Sequence, residues 1–198
     1  MDSDHLTEEQ GQYLVQLART TIQEALEGRS EAASGATTST PSSQLEEPGA
    51  SFVTLHTRAG ALRGCIGSLV ARRPLVEDVR ANALAAAFED PRFPPLTAEE
   101  LPDTVIEVSV LTPPQRLWCE SPTELIDRLR PNIDGVIVER GWHRATFLPQ
   151  VWEQLPRAED FLTRLCYKAG MSGRAWTEGN VDVSIYGVQK FEETGHTP

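Results

Sequence analysis

The chain has 198 residues, and its 29 acidic against 18 basic side chains give a formal charge of −11. That length fits one domain, or two small lobes on a shared core. Acidity of this size without any basic run argues against a nucleic-acid-binding surface.

The apolar stretches fall short of the ~20 residues that a membrane span needs, and the residues after Met1 do not read as a signal peptide. Cys65, Cys119 and Cys166 are widely spaced and form no CxxC pair. They suit neither a disulfide framework nor a zinc knuckle, which makes a reducing cytoplasm the expected compartment.

In chain order, Thr7 and Gln10 spell a capping box, and Leu14, Leu17, Ala18, Ile22 and Ala25 follow at helical spacing. This predicts an amphipathic helix over 7–27 with Gly28 as its stop. Residues 28–50 are mostly Ser, Thr, Ala, Gly and Pro with one leucine. They carry too little apolar area to offset their ordering entropy, so a flexible linker is expected there. The main body is placed at 51–192 and a disordered tail at 193–198.

The body opens on FVTLHTRAGALRGCIGSL, residues 52–69. Its β-branched and aromatic run predicts a strand, and Arg58-Ala59-Gly60 predicts a hairpin loop with positive φ at the glycine. Simple register sets Val53 opposite Cys65, Leu55 opposite Arg63 and His56 opposite Leu62, and a bulge at Gly60 or Gly64 would shift it by one residue. A helix from Pro74 to about Phe88 follows, its small-residue face suited to packing on a sheet. DPRFPPL (90–96) is a proline-locked turn, and Thr97 with Glu100 caps a short helix. Residues 105–111 alternate as a strand, with Glu107 and Ser109 on the face opposite Ile106 and Val108. Further on, the pattern predicts a helix capped at Ser121, a hairpin turning at Arg140-Gly141-Trp142, and a helix over Phe161–Cys166. A last strand is expected around Val183. The sum is an α+β fold with mixed or antiparallel sheets, β-hairpins and packing helices.

Alternation in LRGCIG puts Arg63 and Cys65 on one face, between the glycines Gly64 and Gly67. A fixed positive charge near a sulfur favours thiolate, so Cys65 is the candidate nucleophile. The plainer alternative is a cysteine that packs as a small hydrophobe. Glu107 is a candidate acid/base group if its face lines a cleft, and His143 is the other available ring. Arg63, with the backbone N–H groups around Gly64–Gly67, could hold an anion, and Arg92 is held near Asp90 on a rigid loop. The histidine spacing supports no metal site.

At LRGCIG, DPRFPPL, LPDTVIEVSVL, TFLPQVW and the later FLTRLCYKAG, the sequence resembles the AMMECR domain family, in the form found in the prokaryotic AmmeMemoRadiSam system. The motifs occur in one order and the match covers roughly residues 6–192 outside the linker. The resemblance implies a cytoplasmic two-lobed α+β domain with a cleft between the lobes. It also implies a Memo-like protein and a radical SAM protein as system partners. Carried over by motif, the expected site residues are Arg63, Gly64, Cys65 and Gly67 of LRGCIG, with Asp90, Arg92 and Phe93 of DPRF. Pro149 and Gln150 of LPQ complete the set. No CxxxCxxC is present, so the chain is not itself expected to be the radical enzyme.

Two function classes follow. One is an enzyme or enzyme component that uses a Cys65 thiolate, without a cofactor, on a small or peptide-like substrate, including anionic ones. The other is a non-catalytic module that presents the same surface to a partner, with Cys65 as packing.

Overall fold

The structure, a computed structural model, describes residues 5–28 and 42–193. In chain order its elements are α1 (Glu8–Leu26), β1 (Pro48–Thr57), β2 (Leu62–Gly67), β3 (Arg73–Pro74), α2 (Leu75–Phe88), β4 (Thr104–Leu111) and β5 (Gln115–Arg116). There follow α3 (Pro122–Arg128), β6 (Gly135–Arg140), β7 (His143–Phe147), α4 (Ala158–Lys168), β8 (Asp182–Tyr186) and β9 (Val188–Glu192). They fall into two compact units. The first runs to Leu111 and takes the chain back from Gln189, and the second spans Thr112–Val188. Each combines helices with one antiparallel sheet, the α+β class that the sequence predicts.

In the first unit the sheet order is β2-β1-β4-β9, with β3 paired to the start of β1. Its inner face, Val53 and Leu55 of β1 with Ile106 and Val108 of β4, packs on α1 and α2. These side chains, with Leu14 and Ile22 of α1 and Val79 and Ala83 of α2, are removed from solvent. The capping box forms as spelled, with the Gln10 amide donating to Thr7 Oγ1 and the Thr7 amide to Gln10 Oε1. Gly28 ends the helix at φ +70°, and Gly60 turns the β1–β2 hairpin at φ +81°.

Three expectations need correction. The register of β1 on β2 is shifted by one: Thr54 pairs with Cys65, Val53 with Ile66 and Leu55 with Gly64, while His56 pairs with Leu62 as expected. Arg63 is thus the extra residue of a β-bulge, which simple pairing does not allow for. The linker is also shorter at its C-terminal end than 28–50. Residues Ser43–Glu46 form a 3-10 turn that buries Leu45, and β1 begins at Pro48. Residues 29–41 of that stretch lie outside the described residues. Finally, the strand β9 was not expected. Phe191 is buried in the core beside Gly11, where a Cβ would lie 2.0 Å from its ring. Glu193, assigned to the tail, donates its amide to the Ile106 carbonyl and pairs with Arg19. Residues 194–198 lie outside the described residues.

The second unit carries a sheet in the order β5-β8-β6-β7. Its core is built on Trp152 and Phe161, stacked with ring centroids 3.8 Å apart, with Phe147 edge-on to Phe161. The Trp152 indole N–H donates to the Asp134 carbonyl at 2.8 Å. Cys166 is fully buried in this core and burial pushes its thiol pKa up, so its part is structural.

Candidate functional site

The pairings of β1 with both neighbours set a row of side chains across the first unit's sheet. Cys65 of β2 pairs with Thr54 of β1, and Thr54 pairs with Glu107 of β4. Paired residues point to the same face, here the one turned away from α1 and α2. The Thr54 hydroxyl donates to Cys65 Sγ at 3.4 Å. At the far end, Glu107 accepts from the Ser109 hydroxyl at 3.0 Å and sits 3.6 Å from Lys190 Nζ. Cys65, Thr54 and Glu107 are all half-buried, so solvent reaches the row. Two strand spacings separate Cys65 from Glu107, on the order of 10 Å.

The strand that carries the sulfur is fastened by the DPRF loop along its free edge, the one away from β1. The buried Asp90 carboxylate accepts the Cys65 amide at 2.9 Å, and Arg92 Nη2 donates to the Cys65 carbonyl at 3.2 Å. Asp90 also receives the Arg92 amide, Nε and Nη2 at 2.7–3.1 Å. Those Arg92 bonds are the main reason that the Asp90 carboxyl is held far below the usual range, since burial alone would raise it. Arg92 is in turn pushed up, first by Asp90 and to a smaller extent by the nearby Cys65. The guanidinium beside the sulfur's residue is therefore Arg92.

Arg63 is engaged elsewhere. Its Nε and Nη2 each lie 3.0 Å from a Glu100 oxygen, and its guanidinium sits 5.9 Å from the Phe93 ring centre. Arg92 flanks the same ring at 5.5 Å. Arg63 Nη1 is buried without a hydrogen-bond partner among the described residues. The bulge is what frees Arg63 from the ladder to reach Glu100.

The glycines of LRGCIG answer to packing. A Cβ on Gly64 would lie 2.2 Å from the Ala86 carbonyl oxygen of α2, and one on Gly67 would lie 2.2 Å from the Phe52 ring. Both positions lack room for any side chain. His143 and Gln150 belong to the second unit. His143 Nδ1 lies 3.0 Å from the Ala169 carbonyl at the end of α4, and Gln150 is exposed on a 3-10 turn after Pro149.

Thr54 and Glu100 were not among the expected site residues. Thr54 is hidden by the one-residue bulge. Glu100 was legible only as a cap, a task it also performs by accepting the Thr97 amide at 2.9 Å. No group of three or more metal-ligating side chains occurs among the described residues.

The chain is similar to archaeal proteins over nearly its whole length. A protein of Methanothermobacter thermautotrophicus is 40% identical over 195 residues, covering 96% of this chain and 97% of its own. Protein MJ0810 of Methanocaldococcus jannaschii is 38% identical over 194 residues, covering 95% of this chain and 92% of its own. The crystal structure of the uncharacterized protein PH0010 from Pyrococcus horikoshii superposes with a TM-score of 0.74 at 36% identity, covering 96% of this chain and 94% of that one. The AMMECR1 family profile matches residues 15–191, and the chain belongs to the AMMECR1 family.

Proposed function

We propose that the outer face of the first unit's sheet is a reactive-thiol site, with Cys65 as nucleophile acting on a small or peptide-like substrate. The observation that carries this is the Thr54 hydroxyl donating to Sγ at 3.4 Å. The hydroxyl fixes the orientation of the sulfur, and the Arg92 guanidinium lies beside it on the Cys65 carbonyl. In this reading Arg92, which is half-exposed, also meets an anionic group of the substrate. Glu107 is the acid/base group on the same row, serving through Thr54 or a bound water. The Asp90–Arg92 pair keeps the cysteine backbone fixed, as a preorganised nucleophile requires.

Competitive labelling tests it, with iodoacetamide and mass-spectrometric readout at each of the three cysteines. Cys65 is expected to label fastest, ahead of the half-buried Cys119, and to slow severalfold in Thr54→Val and in Arg92→Leu. Equal rates at Cys65 and Cys119, or no effect of either variant, would remove the activated thiol.

One observation favours the second reading, a non-catalytic module that docks a Memo-like or radical SAM partner. Gly64, Gly67 and Arg63, three of the four LRGCIG residues carried over from the family, already have packing or ion-pair tasks. Cys65→Ser separates the two readings. If it supports full function in cells, the module stands; if function is lost while partner capture persists, the thiol does.

A further inference from the structure

A second site of different chemistry lies wholly within the second unit. Arg116, Trp118, Cys119, Glu124, Arg128 and Arg130 line an open cleft of about 740 Å³. That volume is in the range of small-molecule sites. The Trp118 indole is 69% exposed, although an apolar ring of that size is normally sheltered. One of its faces is covered by the Arg116 guanidinium, 3.9 Å from the ring centre, which leaves the other open to solvent.

The loop that presents this ring is built, despite having no regular secondary structure. The Leu117 amide donates to the Val183 carbonyl at 2.8 Å, and the Glu120 amide to Glu124 Oε2 at 2.8 Å. Arg128 Nη1 donates to the Trp118 carbonyl. The backbone on both sides of the indole is thus held while one face of the ring is left free.

Charge narrows the ligand. Arg116 pairs with Asp182, Arg128 with Glu124 and Arg130 with the buried Asp134. Each of these three side chains lines the cleft and remains about half-exposed, which leaves part of each guanidinium accessible to a ligand. Glu120 and Glu124 add negative charge to the lining. A polyphosphate would meet those carboxylates without a surplus of cation to offset them, whereas one carboxylate fits a guanidinium fork.

We propose that this cleft binds a small flat-ring molecule bearing a single carboxylate, its ring stacked on the open face of Trp118 and its carboxylate on Arg128 and Arg130. The site is independent of the Cys65 reading and stands or falls by itself.

Isothermal titration of the full chain with 2-naphthoate tests it, alongside 2-naphthalenemethanol, acetate and AMP. Saturable binding of 2-naphthoate is expected, at least tenfold tighter than the neutral alcohol, acetate or AMP. Trp118→Ala, which removes a mostly exposed ring, is expected to weaken it at least tenfold with an unchanged thermal midpoint. Arg128→Gln should weaken 2-naphthoate while leaving the alcohol unaffected. Equal binding of the neutral alcohol, tighter binding of AMP, or full affinity in Trp118→Ala would each overturn the proposal. So would the absence of saturable binding.

Discussion

Asp90 and Cys65 are joined through the backbone, with a buried carboxylate oxygen accepting the Cys65 amide at 2.9 Å. The same carboxylate holds the Arg92 that reaches back to the Cys65 carbonyl. Asp90 therefore has two tasks that an alanine cannot share, satisfying a strand amide and neutralising a guanidinium. Asp90→Ala is expected to cost about 2 kcal/mol in urea unfolding, the range for leaving such groups unpaired. Hydrogen exchange gives the local reading. Protection at the Cys65 amide should fall in the variant by more than the global loss explains. Protection that falls only with global stability would mean the contact is not made in solution.

Gly64 in LRGCIG is expected to be intolerant for a reason unrelated to chemistry. The atom that a Cβ would strike is the Ala86 carbonyl oxygen, part of the α2 backbone. Gly64→Ala should therefore destabilise by about 3 kcal/mol, at the upper end for overpacking. The decisive comparison is the double variant Gly64→Ala with Ala86→Gly. Removing the Ala86 methyl frees no space at its carbonyl, so no recovery of the urea midpoint is expected. Recovery would show that the contact is side chain to side chain.

Most of the architecture was legible because its signals are local. The Thr7–Gln10 box, Gly60 at the hairpin, the capped Ser121 helix and the Ile106–Val108 alternation each need only a few neighbouring residues. The candidate site was legible in its residues and less so in its pairings. Motif and alternation point to Cys65, Glu107, Asp90 and Arg92, yet the same alternation puts Arg63 in the position next to the sulfur that Arg92 holds. A bulge moves pairing by one residue, and glycine in the strand allows for one without marking that Arg63 is the residue it takes. The strand β9 escaped for a different reason. VQKFE carries two apolar residues, of which only Phe191 is buried, and its place beside β4 is fixed by contacts more than 80 residues away.

Leu45 illustrates the same limit and gives a direct test. Polar composition assigned it to a linker, but a lone leucine at the right distance from β1 is enough to anchor a 3-10 turn in the core. Leu45→Ala is expected to cost about 2–5 kcal/mol in chemical unfolding, as for other fully buried leucines. A change below about 0.5 kcal/mol would return this residue to the linker.

Acid titration tests the Arg63–Glu100 pair. Hydrogen bonds from Arg63, then the Thr97 amide, hold the Glu100 carboxyl at about 2 against an ordinary 4.5, with burial opposing them. A carboxyl that is more acidic when folded stabilises the protein fully above its unfolded value and loses that contribution as pH falls through the folded one. The window is therefore about pH 4.5 down to 2. Glu100 is 42% exposed, so solvent screening reduces the effect below that of a sealed pair. Glu100→Gln is expected to be less stable than the parent at pH 6, because it leaves the buried Arg63 without its counter-charge. The gap between the two should narrow steadily across the window, since only the parent has this proton to take up. Urea midpoints at pH 6, 4, 3 and 2.5 measure it, and taking the difference cancels the Asp90 contribution common to both. A gap that stays constant from pH 6 to 2.5 would show that Arg63 does not hold Glu100 ionised, and the bulge that frees Arg63 would then need another cause.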